Sequence, residues 1–336
     1  MKVLIKGIWL LLTLLLLAGI YPKHAYEQFV AEHADQYLQV QKIKDCDVIY
    51  LSASSNFASG LARETDPRKI SQMIADHFPA LQFEAINKPA SHAGIHVNLL
   101  EMFRENAEAE TFIVTMNLRS FGPDWIYSEL ETPLQQSTLF YNNRLPLINR
   151  ALVSLRAYDD QSTEERHAQR KSAWADDPLP FDPPQDNVTD WCAVEKWGDW
   201  RNPKRQLADQ FIKQYGFVLD ASNPRVKDFD RMSAMAEEEG WTMVFNILAE
   251  NLETADSLVG KDLTSLMRRN TQWLVDRYEE KGHELVNNLE QVSHAHFTDK
   301  DFPTEHYDDI GRRIIADNVA EGLARALAQK NSKNDN

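Results

Sequence analysis

Short apolar runs that alternate with amphipathic segments are the feature that most narrows the folds open to this chain. Five runs are evident, at residues 47–52, 82–86, 111–116, 241–248 and 284–289. Polar residues bound them, and most are rich in β-branched and aromatic side chains, which is typical of buried strands. Helical periodicity fills the intervals, so successive strands are joined by crossovers. The pattern predicts an α/β fold of three layers, with a five-stranded, mainly parallel sheet between two layers of helices.

The helices that cover this sheet carry recognisable boundary signals. Asp66 and Pro67 are typical of a helix start, with a capping carboxylate followed by proline at the first helical position. Gly240 is suited to end the helix before the fourth strand. Asp308 and Asp309 fall in the first turn of the last helix, where the helix dipole favours negative charge. These boundary signals agree with the alternation of strands and helices that the hydrophobic periodicity predicts.

Residues about 122–223 interrupt the alternation. This stretch holds eight of the 14 prolines, and the run from Asp176 to Pro184 cannot form regular structure. It also contains Trp174, Trp191, Trp197 and Trp200. Two interpretations stay open: these tryptophans pack an irregular insertion onto the core, or they form a platform that stacks on sugars. Because the chain leaves the sheet after the third strand and rejoins it before the fourth, we expect the insertion to lie beside the strand carboxyl ends. There it would shape the entrance to a site, with Trp125 at its start.

The N-terminal segment is strongly apolar. Lys2 and Lys6 precede a run from Gly7 to Ile20 that carries no charged residue. The length of the run and the position of the lysines predict an uncleaved signal anchor over residues 1–22, with its N-terminus in the cytoplasm. A secretory signal peptide that is removed is the alternative. Membrane lipid is therefore an expected partner. The domains that follow would be a stalk helix at 23–44, an extracytoplasmic domain at 45–330 and a disordered tail at 331–336.

Composition and charge exclude several classes of function. The chain is 43% apolar, enough for a sizeable core, and has 36 basic against 51 acidic residues, a net charge of −15. That charge repels a phosphate backbone, so nucleic acid is not an expected partner. Cys46 and Cys192 are enough for one disulfide in an exported domain but not for a disulfide scaffold. No Cys/His spacing typical of a metal site occurs, and we interpret His294 and His296 as surface or loop residues.

Polar residues suited to acyl-transfer chemistry follow the first and third predicted strands and precede the last helix. Ligands of open parallel sheets bind at the carboxyl ends of strands. The turn after the first strand holds Ser52, Ser54 and Ser55, and a serine there can expose its hydroxyl as a nucleophile; turn and helix capping is the structural interpretation. Asn117, after the third strand, can donate its amide to an oxyanion. His306 is the residue type that activates a serine, or else a helix-flanking histidine bonded to backbone.

This order of residues resembles the SGNH, or GDSL-like, hydrolase superfamily. The first block of that family, Gly-Asp-Ser, matches Ser52-Ala53-Ser54, in which only the serine is shared. Its Gly-x-Asn-Asp block matches Thr115-Met116-Asn117-Leu118. Its last histidine, with glycine five residues later, matches His306 and Gly311. The family's aspartate would fall at position 303, which is proline, so Asp301 is the expected substitute.

The resemblance covers about residues 45–330 apart from the insertion. It is nearest to membrane-anchored cell-envelope branches, the D-alanine transfer protein of teichoic acids and the alginate O-acetylation proteins. It implies an SGNH- or flavodoxin-like sheet and a serine esterase or acyltransferase that acts on envelope glycan or acyl-lipid outside the cytoplasm. A membrane acyltransferase is an admissible further partner, and neither a cofactor nor a metal is implied.

The resemblance also implies roles for individual residues. Ser54 would be the nucleophile, His306 the base and Asp301 the acid that orients it. Asn117 and Gly94, or a backbone N–H near Ser91, would stabilise the oxyanion. The residues expected to line the substrate are Ser55, Asn56, Ser91, His92, Arg119 and Ser120. The alternative is a non-catalytic accessory or binding subunit of an envelope-modification system on the same fold, because the first block keeps only its serine.

Overall fold

One parallel sheet organises the molecule. The computed structural model describes residues 2–20, 23–41, 43, 45–60, 64–106, 109–141, 144–159, 161–199 and 201–334. The strands are β1 (Val48–Ser52), β2 (Phe83–Asn87), β3 (Thr111–Met116), β4 (Thr242–Ile247) and β5 (Glu284–Asn287). They pair in the order β2-β1-β3-β4-β5, and every neighbouring pair is parallel. The predicted sheet is confirmed, with strand bounds that differ from the predicted ones by no more than two residues.

Helices make up much of the remaining described chain. They are α1 (Lys2–Ile20), α2 (Lys23–His33), α3 (Asp35–Val40), α4 (Ile70–Ala75), α5 (Ala93–Asn106), α6 (Pro123–Ile126), α7 (Glu131–Thr138), α8 (Pro146–Ser154), α9 (Thr163–Asp176), α10 (Val188–Ala193), α11 (Pro203–Tyr215), α12 (Pro224–Glu239), α13 (Leu252–Leu258), α14 (Lys261–Glu279) and α15 (Asp309–Asn334). Two short 3₁₀ turns, Ser54–Asn56 and Leu118–Phe121, follow β1 and β3 and carry several of the predicted site residues.

Helices cover both faces of the sheet. Val48 and Tyr50 of β1 lie in an apolar cluster with side chains of α4 and α15. Ile49 and Leu51, which alternate with them, lie in a second cluster with side chains of α5, α12 and α14. Because both faces are buried, the strands are continuous apolar runs in the sequence. The three-layer α/β architecture is therefore confirmed.

The predicted helix boundaries are correct at Gly240 but wrong at Asp66. Gly240 ends α12 in the left-handed conformation, with φ of 68°. Asp66 does not cap a helix: α4 begins only at Ile70, and the Asp66 carboxylate accepts from the backbone and guanidinium of Arg68. The local side-chain bond competes with capping, so Asp66 and Pro67 belong to the loop before the helix.

The N-terminal segments differ from the anchor and stalk that the sequence predicts. Lys2–Ile20 is helical, and the side chains of its leucines from Leu4 to Leu16 are exposed. Within the described ranges, no helix is long and apolar enough to cross a membrane, so the predicted spanning helix is not supported. The next segment breaks at Ala34 into α2 and α3, which pack on the domain through buried Val30 and Val40.

The insertion is largely helical rather than irregular, since α6 to α11 lie within it. Regular structure is missing from residues 177–187, as the prolines predict. Trp191 and Trp197 are buried in the main core, which supports packing rather than sugar stacking for these two side chains, while Trp200 lies outside the described residues. The insertion contacts the segments that follow β3 and β4: Trp197 donates to the carbonyl of Leu258, and Trp125 lies against Arg119.

The C-terminal segment also departs from its prediction. A disordered tail was expected from residue 331, but α15 continues to Asn334, and residues 335–336 lie outside the described part. Cys46 and Cys192 are both free thiols, so the disulfide that an exported domain could form is not present. Burial raises the pKa of the Cys46 thiol to about 11 and that of Cys192 to about 12, which keeps both protonated and unreactive at neutral pH.

Candidate active site

The turn after β1 presents one serine hydroxyl to the last loop. Ser52 is buried at the end of the strand, and its hydroxyl donates to Asn87 Oδ1 at the end of β2. Asn56 also donates to Asn87 Oδ1, and its own Oδ1 accepts from the backbone of Ser71 at the start of α4. These bonds fix the turn from two sides. Ser55 is buried, and its hydroxyl lies without a partner in the described chain.

Ser54 is the serine that contacts a base. His306 Nε2 lies 3.0 Å from Ser54 Oγ, and His306 Nδ1 lies 2.7 Å from Asp299 Oδ2. An ionised carboxylate can only accept, so Asp299 holds the histidine proton on Nδ1 and leaves Nε2 free to accept from Ser54. Among the three candidate serines, the geometry therefore selects Ser54, and it excludes the interpretation of His306 as a backbone-bonded flanking residue.

The carboxylate behind the histidine is Asp299 and not Asp301, so this prediction is wrong. Phe297 and Tyr307 form an antiparallel bridge, and the backbone of Thr298 donates to the carbonyl of His306 over 2.9 Å. The bridge closes a loop over residues 298–306, and it brings position 299 beside position 306. Asp301 lies farther out in the loop, where it is exposed. The residue spacing of the family motif could not predict that Asp299 is the partner of His306. The two residues meet across a closed loop and not along a helix or strand.

The contacts around Asp299 favour its charged form and outweigh its partial burial. Burial raises its pKa, but hydrogen bonds from Thr304 and His306 and the electrostatic effects of His306 and Arg119 outweigh that effect. The net result is a lowered pKa. Thr304 Oγ1 donates to the same Oδ2 atom over 2.8 Å, which fixes the orientation of the carboxylate.

Asn117 lies at the same level of the sheet as Ser54. Val48 pairs with Thr111, and Ser54 and Asn117 each follow six residues later, just past the ends of the adjacent strands β1 and β3. The backbone N–H of Arg119 donates to Asn117 Oδ1 over 2.9 Å, while no acceptor for the Nδ2 group is found in the described residues. The amide therefore keeps its donor side free. The first N–H groups of the Ser54–Asn56 turn are also outside its own hydrogen bonds, as at the start of any helical turn.

Gly94, Ser91 and His92 belong to a separate buried network, which contradicts the roles predicted for them. The N–H of Gly94 donates to His92 Nδ1, so it is not available to an oxyanion. His92 Nε2 contacts Glu131, and Ser91 Oγ lies 3.2 Å from His96 Nε2. Burial and the charge of Arg225 lower the pKa of His92 despite the nearby Glu131. These residues join α5 and α7 rather than line the serine.

Arg119 and Ser120 are likewise buried and do not form an open substrate surface. Arg119 makes an ion pair through Nε and Nη2 with both carboxylate oxygens of Glu305. Ser120 Oγ donates to the carbonyl of Asn117 over 2.6 Å. Ser120 therefore stabilises the turn that follows Asn117, and Arg119 binds the residue that precedes His306.

Glu305, Glu250 and Tyr215 were not predicted from the sequence. Tyr215 donates to Glu250, which is buried just past the end of β4, and burial raises the pKa of Glu250 well above its usual range. The nearby charge of Glu305 raises it further, while the charge of Arg119 lowers it. One signal was available: Glu250 is an acidic residue that directly follows a long apolar strand. Such a residue at a strand carboxyl end is either a ligand group or a member of a buried ionic cluster.

The surface around Ser54 is open and partly aromatic. About a third of the His306 side chain is exposed (36%), and Phe57 and Phe302 beside the two site segments are exposed by 37% and 41%. Cavities of about 640 and 410 Å³ occur elsewhere, lined by residues of the insertion and of the opposite end of β4. No group of His, Cys, Asp and Glu suited to a metal ion occurs in the described part of the chain.

Comparisons with known proteins give distant structural likenesses only. No protein-family model matches the chain, and no curated protein matches it. A member of the lipolytic protein G-D-S-L family from Veillonella parvula is 9% identical, with a TM-score of 0.38, over 83% of this chain and 98% of that one. A catalytic mutant of an acetylxylan esterase from Geobacillus stearothermophilus is 9% identical, with a TM-score of 0.35, over 84% of this chain and 96% of that one. Likenesses of this distance do not assign an activity, which has to come from the site itself.

Proposed function

We propose that the protein is a serine esterase or acyltransferase whose catalytic residues are Ser54, His306 and Asp299. The observation that carries the proposal is the continuous chain of contacts from Ser54 Oγ to His306 Nε2 and from His306 Nδ1 to Asp299. Ser54 is 252 positions from His306 in the sequence, yet the fold brings it to the histidine and its acid at the carboxyl end of the sheet, in the order that nucleophilic catalysis requires.

The geometry supports a two-step acyl transfer. Ser54 Oγ attacks the ester carbonyl carbon while His306 Nε2 takes the hydroxyl proton, and the negative charge moves to the carbonyl oxygen. The free Asn117 amide and the N–H groups of the Ser54 turn are the candidate donors to that oxyanion. The tetrahedral intermediate then collapses, and the leaving alcohol takes the proton from His306. Water or a second alcohol repeats these steps in reverse and releases the acyl group from Ser54.

The openness of the site favours a large substrate, such as an acylated envelope glycan or an acyl-lipid. A histidine and an acid that are both partly exposed can be reached from a surface, whereas small substrates are usually enclosed in a cleft. We also propose that α1 attaches the protein to a membrane and that the domain lies outside the cytoplasm. The exposed leucines of α1 and the lysines at its N-terminal end, Lys2 and Lys6, support this proposal.

Substitution of the nucleophile tests the proposal. Ser54→Ala should abolish labelling by a fluorophosphonate and reduce hydrolysis of p-nitrophenyl acetate by about 10⁴-fold or more, because nothing replaces the nucleophile. Ser55→Ala is the matched control for chemistry on this turn, since the Ser55 hydroxyl is buried without a partner in the described chain and does not contact His306. It should keep fluorophosphonate labelling. Equal labelling of wild type and Ser54→Ala would favour the non-catalytic accessory role instead.

A further inference from the structure

A buried ion pair joins the two segments that carry the proposed oxyanion donor and the proposed base. We propose that Arg119 is a positioning residue, which holds Asn117 and His306 in register with Ser54 through its ion pair with Glu305. This inference rests on the proposed function and adds a residue to it. Arg119 does not touch the reacting atoms, so its effect has to pass through its neighbours.

The two ends of Arg119 act on different segments. Its backbone N–H donates to Asn117 Oδ1 over 2.9 Å, and this bond directs the Nδ2 donor side of the amide away from the turn. Its guanidinium contacts both carboxylate oxygens of Glu305, the residue before His306. One side chain therefore connects the turn after β3 with the loop that carries the histidine and its acid. Neither segment can shift without stretching a bidentate ion pair, which tolerates little change of geometry.

The surroundings of the guanidinium restrict it further. The ring of Trp125 lies 5.1 Å from Arg119 Cζ, and the ring of Phe302 lies 6.0 Å from it. Trp125 is itself fixed by a hydrogen bond to Gln214 over 3.1 Å. Phe302 belongs to the same loop as His306, so the stacking contact and the ion pair act on that loop together.

Stability alone does not account for this arrangement. The side chains of Arg119 and Glu305 are 6% and 3% exposed, so both charges are removed from water at a large desolvation cost. Apolar residues of similar volume are often as stabilising as such a pair or more so. Glu250 adds a second buried carboxyl to the cluster, and its protonated form leaves one cation facing one anion. A costly but electrically balanced pair fits a positioning role better than a purely stabilising one.

The test separates positioning from stability. Arg119→Lys keeps the charge but loses the bidentate contact, and a displacement of about 1 Å in a catalytic group can cost about 10²-fold. We expect kcat for p-nitrophenyl acetate to fall by about 10- to 10²-fold, with KM changed by less than about threefold, and fluorophosphonate labelling of Ser54 to slow in parallel. Arg277→Lys is the matched control, because Arg277 makes a similar two-point pair with Asp230 between α14 and α12. It should leave kcat unchanged.

An apolar replacement of the pair gives the decisive comparison. The double variant Arg119→Met, Glu305→Leu should melt at or above the wild-type temperature yet keep the reduced kcat. Wild-type kcat in a folded double variant, or in Arg119→Lys, would overturn the positioning role. Failure of the proposed function has a different signature, because wild type and Ser54→Ala would then be equally unlabelled and inactive before any Arg119 variant is considered.

Discussion

At the scale of single residues, the site consists of groups that only the fold brings together. Ser54 and Asn117 could be predicted because each follows a buried strand, and parallel strands end at a common edge. His306 could be predicted because it directly precedes the last helix. Asp299 could not, since its contact with His306 depends on how one loop folds back on itself. The loop offered two aspartates, Asp299 and Asp301, and spacing alone favoured the wrong one.

Asp299→Asn should lower kcat strongly while the protein stays folded. The amide can donate to His306 Nδ1 and so favours the tautomer in which Nε2 carries the proton and cannot accept from Ser54. We expect kcat for p-nitrophenyl acetate to fall by on the order of 10²- to 10⁴-fold. Asp301→Asn, the matched control in the same loop, should change kcat by less than about twofold. A comparable loss in both variants would show that loop charge matters rather than a specific contact.

At the scale of elements, the strands were predicted well and the insertion poorly, for one physical reason. Strands of a buried parallel sheet must be apolar on both faces, and this leaves a direct trace in the sequence. The helices of residues 122–223 pack mainly on one another and on the segments beyond β3 and β4, so their bounds depend on tertiary contacts. The same holds for Gly94, Ser91 and His92: the sequence placed them after β2, but it could not show that they bond among themselves.

The first turn of α15 gives a prediction at this scale. A Cβ atom on Gly311 would lie 2.9 Å from the Cβ of Tyr307 and 3.2 Å from the carbonyl oxygen of His296. Tyr307 is one partner of the loop bridge, and His296 precedes the other, Phe297. Gly311→Ala should therefore push the His306 segment away from Ser54, with a loss of about 1–3 kcal/mol in stability and a clear drop in kcat. Urea unfolding and p-nitrophenyl acetate turnover measure the two effects.

Gly322→Ala in the same helix is the control for overpacking alone. Its added Cβ would meet Val286 of β5, on the sheet and apart from the catalytic loop. It should destabilise the protein to a similar extent, while kcat of the folded fraction stays near the wild-type value. If Gly311→Ala also kept its kcat, the spacing between His306 and Gly311 would be a matter of packing only.

At the scale of the whole molecule, the buried ionic cluster beside the site makes the free energy of unfolding depend on pH. The groups that face Glu250 are Tyr215, Glu305, Arg119 and Tyr307. Burial and the Glu305 charge raise its pKa in the folded state, so folding takes up a proton that the unfolded chain loses near the ordinary glutamate range. The stabilisation linked to this proton is fully present at pH values below the ordinary glutamate pKa. It is lost as the pH rises through the pKa of Glu250 in the folded state.

Glu250→Gln should remove this dependence, because the amide is neutral at every pH. Between pH 5 and 9, the wild-type free energy of unfolding should fall relative to that of the variant, with a limiting slope of about 1.4 kcal/mol per pH unit. Urea titrations at several pH values measure the difference. Glu321→Gln, at an exposed position on α15, should leave the wild-type curve unchanged. Parallel curves for wild type and Glu250→Gln would mean that Glu250 does not hold an extra proton in the fold.

Attachment to a membrane is the other prediction for the molecule as a whole. The full chain should float with vesicles of phosphatidylcholine and phosphatidylglycerol, because the exposed leucines of α1 lose contact with water at a lipid surface. The double variant Leu11→Lys, Leu15→Lys, which places two charges among these leucines, should not float. Leu155→Lys, at a highly exposed leucine of the domain, is the control and should still float. Equal flotation of all three proteins, or of none, would contradict attachment through α1.

The bridge between Phe297 and Tyr307 makes the histidine and its acid a self-contained module. Two of the three proposed catalytic groups lie on one closed loop, and Tyr307 secures the base of that loop by donating to the carbonyl of Ala249 over 2.8 Å. The tip of the loop, residues 300–302, is exposed, and within it Phe302 lies against Arg119. Changes of length or sequence there can alter what the protein recognises without disturbing its proton transfer. Substitutions at the loop tip can therefore change substrate preference, while Asp299, His306 and Ser54 keep the same catalytic chemistry.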